Sequence, residues 1–182
     1  QVVDERTVEV VRPVAPGENI LQVGDDIEKG QIVLPEGHIL RAQDIGGLMG
    51  LGITQLYVYS RPRVVIISTG DELVTPDQQV SPGQIRDINT YSLTALTLQT
   101  GAIPLSIPII GDDYQELVEQ TQKAISEADM VVISAGSSVS TRDLTSRVIE
   151  SLGKPGIFVH GISIKPGKPT ILASINGKPV IG

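Results

Sequence analysis

The sequence predicts an α/β protein: a three-layer α/β/α domain with a mostly parallel sheet, preceded by a smaller β-rich segment. Three observations lead there. From Arg63 onward, short β-branched apolar runs alternate with stretches of helical period, the rhythm of strands joined by crossover helices. Before about residue 60, turn residues recur every few positions between short alternating runs. Aromatic residues are scarce, with one Phe, four Tyr and no Trp among 182 residues. The core must therefore come from Val, Ile and Leu, which suits a buried parallel sheet.

Residues 1–60 form the first segment. Pro16-Gly17, Gly24-Asp25, Lys29-Gly30 and Glu36-Gly37 punctuate runs such as TVEVVRPV and QIVL, a pattern of short strands and hairpins. One helix is expected at Ala42–Leu51, with Asp44 in its first turn and Gly52 closing its end. TQLYVYS then returns to alternation, and Arg61-Pro62-Arg63 marks the boundary of a second domain over 61–182.

In that domain VVIIS (64–68) and MVVIS (130–134) read as central strands. INTYSLTALTLQTG reads as a helix stopped by Gly101. AIPLSIPII, with Pro104 and Pro108, reads as an edge or irregular strand. From Tyr114 a helix places Leu117, Val118, Thr121, Ala124 and Ile125 on one face. RDLTSRVIESLG is a further helix ending at Gly153, and GIFVHGISI, PTILASI and KPVI supply the remaining extended segments.

Composition narrows the function. The formal net charge is −7 and no basic stripe appears, which argues against a nucleic-acid-binding surface. The absence of cysteine removes disulfides, thiol chemistry and Cys-based zinc sites. No apolar run approaches the roughly 18 residues that a membrane span needs. The chain starts without Met and stops at PVIG in mid-pattern for a strand, so a fragment of a longer protein is expected.

In a sheet of this kind ligands bind at the carboxyl ends of the strands. Three chemically loaded loops fall there: after Ser68, after Ile133 and around Lys165. In STGDELVTP, Thr69 and Gly70 can bring backbone N–H groups close to a ligand, and Asp71 and Glu72 add carboxylates. A turn followed by a solvated acidic pair fits equally well. In GQIRDINTYS, Asp87 or Asn89 suits a helix cap, and Asn89 could also bond a flat heterocycle. Gly111-Asp112-Asp113 precedes a helix, so capping leads, with a hard cation such as Mg²⁺ as the alternative. SAGSSVSTRDLT offers Gly136 for close backbone approach, hydroxyls at Ser137, Ser138, Ser140 and Thr141, and Asp143 in the first helical turn. In ISIKPGKPT, prolines stiffen a loop that carries Lys165 and Lys168, suited to an oxyanion, or else to an ordinary exposed turn. Arg86 and Arg142 are further candidate anion contacts of little specificity. His38 and His160, each beside an apolar run, are read as packed or surface residues.

Together, STGDEL, QIRDIN, the Asp112-Asp113 pair, the Ser-Ala-Gly-Ser-Ser-Val-Ser-x-x-Asp loop and IKPGKP resemble the molybdopterin molybdotransferases of the MoeA type, the group that includes the C-terminal domain of gephyrin. The leader from PGENILQVGDD to YVYSRPRV resembles the region before their α/β domain. The resemblance implies insertion of molybdate (or tungstate) into adenylylated molybdopterin with release of AMP, assisted by Mg²⁺ or a similar divalent ion, in a cytoplasmic homodimer. It implies Glu72, Asp143, Lys165 and Lys168 as catalytic residues, and Glu72, Asp112 and Asp143 as metal ligands. Substrate contacts are implied at Thr69, Gly70, Asp71, Asp87, Asn89, Ser134, Gly136, Ser138, Pro166, Gly167 and Pro169. The chain departs from the family pattern where Ala135 and Ser140 stand in place of glycines, which predicts a loop that differs in detail. Two other readings share the fold: a CinA-like nucleotide pyrophosphate hydrolase, which Arg142-Asp143-Leu144-Thr145 suits, and a non-catalytic pterin-binding or scaffold module.

Overall fold

The computed structural model describes residues 2–135 and 139–182, and for residues 139–143 the backbone alone. The chain divides into two compact units, Gln1–Tyr57 and Val58–Gly182.

The first unit holds the expected helix, α1 (Ala42–Gly50). Its start is fastened by Asp44, whose carboxylate accepts the Arg41 backbone N–H at 2.9 Å and both Nε and Nη2 of the Arg41 side chain at 2.9 and 3.0 Å. His38 Nε2 lies 2.8 Å from the same carboxylate. These hydrogen bonds, Arg41's foremost, hold the Asp44 carboxyl well below the usual carboxylate range.

The β-rich character expected for residues 1–60 is not found among those described. Among the described residues of this unit the only β pairing is an isolated bridge between Val2 and Val8. The turns form as read: Glu18 N–H donates to Ala15 O at 3.0 Å and Gln31 N–H to Glu28 O at 3.1 Å. What fails is the pairing between turns. Val10, Val23, Ile32 and Tyr57 are all exposed. A strand needs a ladder partner and a face to bury, and a short two-stranded ribbon on its own is marginal in water. TQLYVYS likewise forms no strand.

The second unit is built on a six-stranded sheet. Its strands are β1 (Arg63–Thr69), β4 (Ile103–Ser106), β5 (Met130–Ala135), β6 (Pro155–His160), β7 (Ile171–Ile175) and β8 (Lys178–Ile181). The spatial order is β4-β1-β5-β8-β7-β6. The first three pairings are parallel, and β8-β7 and β7-β6 are antiparallel. β4, with Pro104, lies at one edge as its prolines predict. β7 and β8 are joined by Asn176-Gly177 with φ of 52° and 81°, the positive pair that a tight two-residue hairpin requires. A separate two-stranded parallel ladder joins β2 (Leu73–Val74) to β3 (Ile85–Arg86).

Helices cover both faces of the sheet. The period-2 alternation of the central strands explains how. Val64, Ile66, Met130 and Val132 face α2 (Asn89–Gln99) through Leu93. Val65, Ile67, Val131 and Ile133 pack with Leu117, Ala124 and Ile125 of α3 (Tyr114–Glu127) and with Val148 and Ile149 of α4 (Val139–Ser151). Both faces are apolar because both are covered, which is why these strands read as continuous hydrophobic runs. Asp113 caps α3, its Oδ1 accepting the Glu116 N–H at 2.8 Å. At the other end Lys178 Nζ donates to Ile125 O at 2.6 Å, supplying a cation to a helix terminus that has none of its own.

Ile67 is fully buried and Ile103 is 41% exposed on the edge strand. Ile67→Ala is expected to lower unfolding free energy by about 2–5 kcal/mol. Ile103→Ala should lower it by roughly 1 kcal/mol or less. Denaturant titrations of the two variants check the contrast.

Candidate functional site

The order of the sheet creates a crevice. The chain leaves β1 for β4 by way of α2, then returns past β1 to β5 by way of α3 on the opposite face. The two crossovers diverge above the carboxyl ends of β1 and β5, the place where open α/β sheets take ligands.

Hydrogen bonds tie the first turn of α2 to both strand ends. Ser68 Oγ lies 2.7 Å from Thr90 Oγ1 and donates to Asp87 Oδ1 at 3.3 Å. The same Asp87 oxygen accepts the Thr90 N–H at 3.1 Å. Asp87 is therefore a buried cap for α2. Asn89 Nδ2 donates to Ser134 Oγ on β5 at 2.7 Å. From below, the Ile85 N–H bonds Glu72 O and the Asp87 N–H bonds Val74 O, at 2.8 and 2.9 Å, so the STGDEL and QIRDIN segments are bonded directly to each other.

Beside this knot lies a cavity of about 990 Å³. Leu73, Ile85, Ile88, Leu93 and Leu96 give it an apolar wall, and Val132 and Ile133 line it from the sheet. Asp87, Asn89 and Ser134 place polar groups along it, and Pro166, Gly167 and Pro169 reach it from the lysine loop. Six of the sequence-predicted contacts thus share one concave site, apolar with a few fixed polar groups, the character of a small-molecule pocket. Its apolar wall was not foreseen. Leu93 and Leu96 read only as residues of the helix in INTYSLTALTLQTG, and Ile85 and Ile88 lay inside a motif noticed for its capping candidates Asp87 and Asn89.

The acidic residues form a second cluster. Gly70 has φ +151°, and a Cβ there would lie 2.6 Å from Glu72 Oε2, so only glycine lets the Glu72 carboxylate fold back over this turn. Gly70 N–H donates to Ile110 O at 3.0 Å, and Thr69 Oγ1 donates to Gly111 O at 3.2 Å. The Asp112 N–H donates to Asp71 Oδ1 at 2.9 Å. The Asp112 carboxyl is pushed up, first by burial and then by the negative charges of Asp71 and Glu72. Asp71, Glu72 and Asp112 therefore share one neighbourhood. Among the described residues no three metal-ligating side chains converge into a ligand set. Gly136, Ser138 and the side chain of Asp143 lie outside the described residues.

The lysine loop is folded on itself. Ile162 N–H donates to Lys168 O and Gly161 N–H to Thr170 O, both at 2.9 Å, and Thr170 Oγ1 donates to Gly167 O at 2.7 Å. Lys168 lines a smaller cavity of about 590 Å³ together with His160 and Ser163. Lys165 lines neither cavity. His160 carried no sequence signal beyond its place beside an apolar run. Ala135 ends β5 in register with Thr69, as extended backbone that needs no glycine.

The family model described as "Probable molybdopterin binding domain" matches residues 65–182, and that described as "MoeA N-terminal region (domain I and II)" matches residues 1–52. A molybdopterin molybdenumtransferase from Nostoc sp. is 41% identical over 164 residues, covering 90% of this chain and 37% of the relative. One from Haemophilus influenzae is 34% identical, covering 85% of this chain and 38% of the relative. The chain thus spans well under half the length of these relatives. Two crystal structures of molybdopterin biosynthesis MoeA proteins from Pyrococcus horikoshii match with TM-scores of 0.77 and 0.71 at 40% and 31% identity. Both matches cover 94% of this chain, and 42% and 41% of those chains. CinA from Thermoplasma acidophilum, at 16% identity and a TM-score of 0.50, shares the fold alone. The chain belongs to the molybdopterin-binding domain family, in the arrangement where a MoeA N-terminal region precedes that domain.

Proposed function

We propose that the chain acts in molybdenum-cofactor biosynthesis, as the part of a molybdopterin molybdotransferase that holds adenylylated molybdopterin while molybdate is inserted and AMP released. The observation that carries this reading is the cavity at the carboxyl ends of β1 and β5. Its apolar wall suits a flat fused ring, and Asp87, Asn89 and Ser134 supply hydrogen-bonding groups at its edge. The relatives' names give the chemistry that this pocket is proposed to serve.

The substrate concentrates negative charge, so the site must balance it. Lys168, in the smaller cavity with His160, is the proposed oxyanion contact, with Lys165 from the same loop. Mg²⁺ or a similar divalent ion, held by Glu72 and Asp112 with Asp143 as a third carboxylate and water in the remaining positions, would neutralise phosphate charge. What supports the ion is Asp112, whose carboxyl is raised by burial and by its acidic neighbours, a repulsion that a cation relieves. Glu72 and Asp143 are the proposed catalytic carboxylates. Thr69, Gly70, Asp71, Gly136, Ser138, Pro166, Gly167 and Pro169 are proposed to shape the substrate contacts. The protein is proposed to work in the cytoplasm as a homodimer without nucleic-acid or membrane partners. The dimer is supported by the exposed Val10, Leu21, Val23 and Ile32 of the first unit.

Full-length protein given adenylylated molybdopterin, Mg²⁺ and molybdate is expected to release AMP only when molybdate is present. AMP release without molybdate dependence would favour a hydrolase, and pterin binding with no turnover would favour a binding module. Asp143→Asn and Lys165→Ala should each lower turnover at an unchanged melting temperature; normal turnover in both removes these roles. For Asp112 the raised native pKa means that its contribution to stability is full below the ordinary value of 3.8 and is lost as pH rises through the native value. Asp112→Asn is therefore expected to keep or raise the melting temperature at neutral pH. Added Mg²⁺ should lower the Asp112 carboxyl titration seen by NMR, and a titration indifferent to Mg²⁺ removes the ion from this cluster.

A further inference from the structure

The large cavity has a cation of its own. The smaller cavity, not the large one, has Lys168 on its lining, and Lys165 lines neither. Among the described residues that line the large cavity, Arg86 is the one cationic side chain. Its neighbour Asp87 is the one acidic side chain among them, and that carboxylate is buried, with Oδ1 engaged by Ser68 and Thr90. The charge balance that a ligand meets in this cavity is thus weighted toward the guanidinium.

Arg86 is also held in place. It sits on β3, locked to β2 by the backbone bonds on either side of it. Its Nε donates to Pro76 O at 3.0 Å and its Nη2 to Gln78 O at 3.4 Å. A guanidinium has five N–H donors. These two bonds leave Nη1 and one Nη2 hydrogen to offer, on a group whose plane is already oriented. A donor fork fixed before the ligand arrives loses less entropy on binding than a free side chain does. Two carbonyl partners fix the arginine without neutralising it, so the full positive charge remains for an anion.

We infer that Arg86 is the phosphate contact of the large cavity and sets its preference for a phosphorylated heterocycle over the same heterocycle without phosphate. The inference rests on the pterin-binding reading above and gives Arg86, in the sequence only one of several candidate anion contacts, the phosphate role for which the two lysines were the leading candidates. The ring lies against Ile85, Ile88 and Leu93, and the phosphate meets the guanidinium at the rim. Lys168 is left for a second, separate oxyanion in the smaller cavity.

The test uses the full-length protein and two fluorescent probes, 6-hydroxymethylpterin and its phosphate monoester, titrated at constant ionic strength. The phosphate monoester is expected to bind about tenfold more tightly, the scale of one charge-assisted contact. Arg86→Ala should bring the two affinities together while leaving that of the unphosphorylated probe unchanged, which also reports an intact fold. Arg86→Lys should recover part of the difference. The double variant Lys165→Ala with Lys168→Ala should keep it. A phosphate preference that survives Arg86→Ala, or that vanishes in the double lysine variant, overturns the inference. Equal binding of both probes to the unaltered chain overturns it too and leaves the pterin-binding reading standing. If neither probe binds the unaltered chain, both fall.

Discussion

Everything in the second unit depends on the parallel pairing of β1 with β5 between two layers of helix. Six consecutive residues of β1 pair with six of β5, from Val64 with Met130 to Thr69 with Ala135. Ile66 and Ile67 are both fully buried although they point to opposite faces. That is possible only because α2 covers one face and α3 with α4 the other. A one-residue slip would exchange the faces of every side chain in the strand and misplace its polar end. The register therefore sets the core and, in the same act, brings Ser68 and Ser134 level at the mouth of the crevice.

The step from core to site is made by polar groups that the fold cannot leave unsatisfied. Ser68 and Thr69 are buried at the end of β1 and must find partners. Ser68 finds Asp87 and Thr90, and Thr69 finds the carbonyl of Gly111. The first two bonds fasten the start of α2, and the third the loop at Gly111, to the same strand end. Asp87 thereby does double duty, capping α2 and fixing the cavity wall that α2 presents. The acidic neighbourhood of Asp71, Glu72 and Asp112 is assembled in the same way, with the Asp112 N–H on Asp71 as its seam.

Much of this was legible in residue pattern. The buried runs at 64–68 and 130–134, the α3 stripe from Leu117 to Ile125, the proline-marked edge strand and the three loaded loops all follow from local periodicity and turn chemistry. The Asn-Gly pair at 176–177 is a hairpin signal of the same local kind, and it accounts for the antiparallel return of β8 beside β7. Residues 1–60 went otherwise. Their turns formed and their strands did not, since turn propensity is local and strand pairing is not. The two lysines were grouped by adjacency, yet the folded loop puts Lys168 on one cavity and Pro166 with Gly167 on another.

By itself the sequence determined which segments would be buried on both faces and which chemically loaded loops would lie at the strand ends. It began the last helix at Arg142 with Asp143 in the first turn, whereas α4 begins at Val139 and its first turn holds no acidic residue. Periodicity, proline and glycine act within a few residues, so a single chain displays their effects directly. Only the tertiary structure decided which loops share a cavity. That depends on strand order, and order is set by packing among residues far apart in the chain: Ser68 with Asp87, Asn89 with Ser134, Asp71 with Asp112. It also decided that Arg86 rather than a lysine lines the large cavity. The side chain's place there comes from the β2–β3 ladder and from two carbonyls of a neighbouring loop, neither of which has a mark in the residues around it.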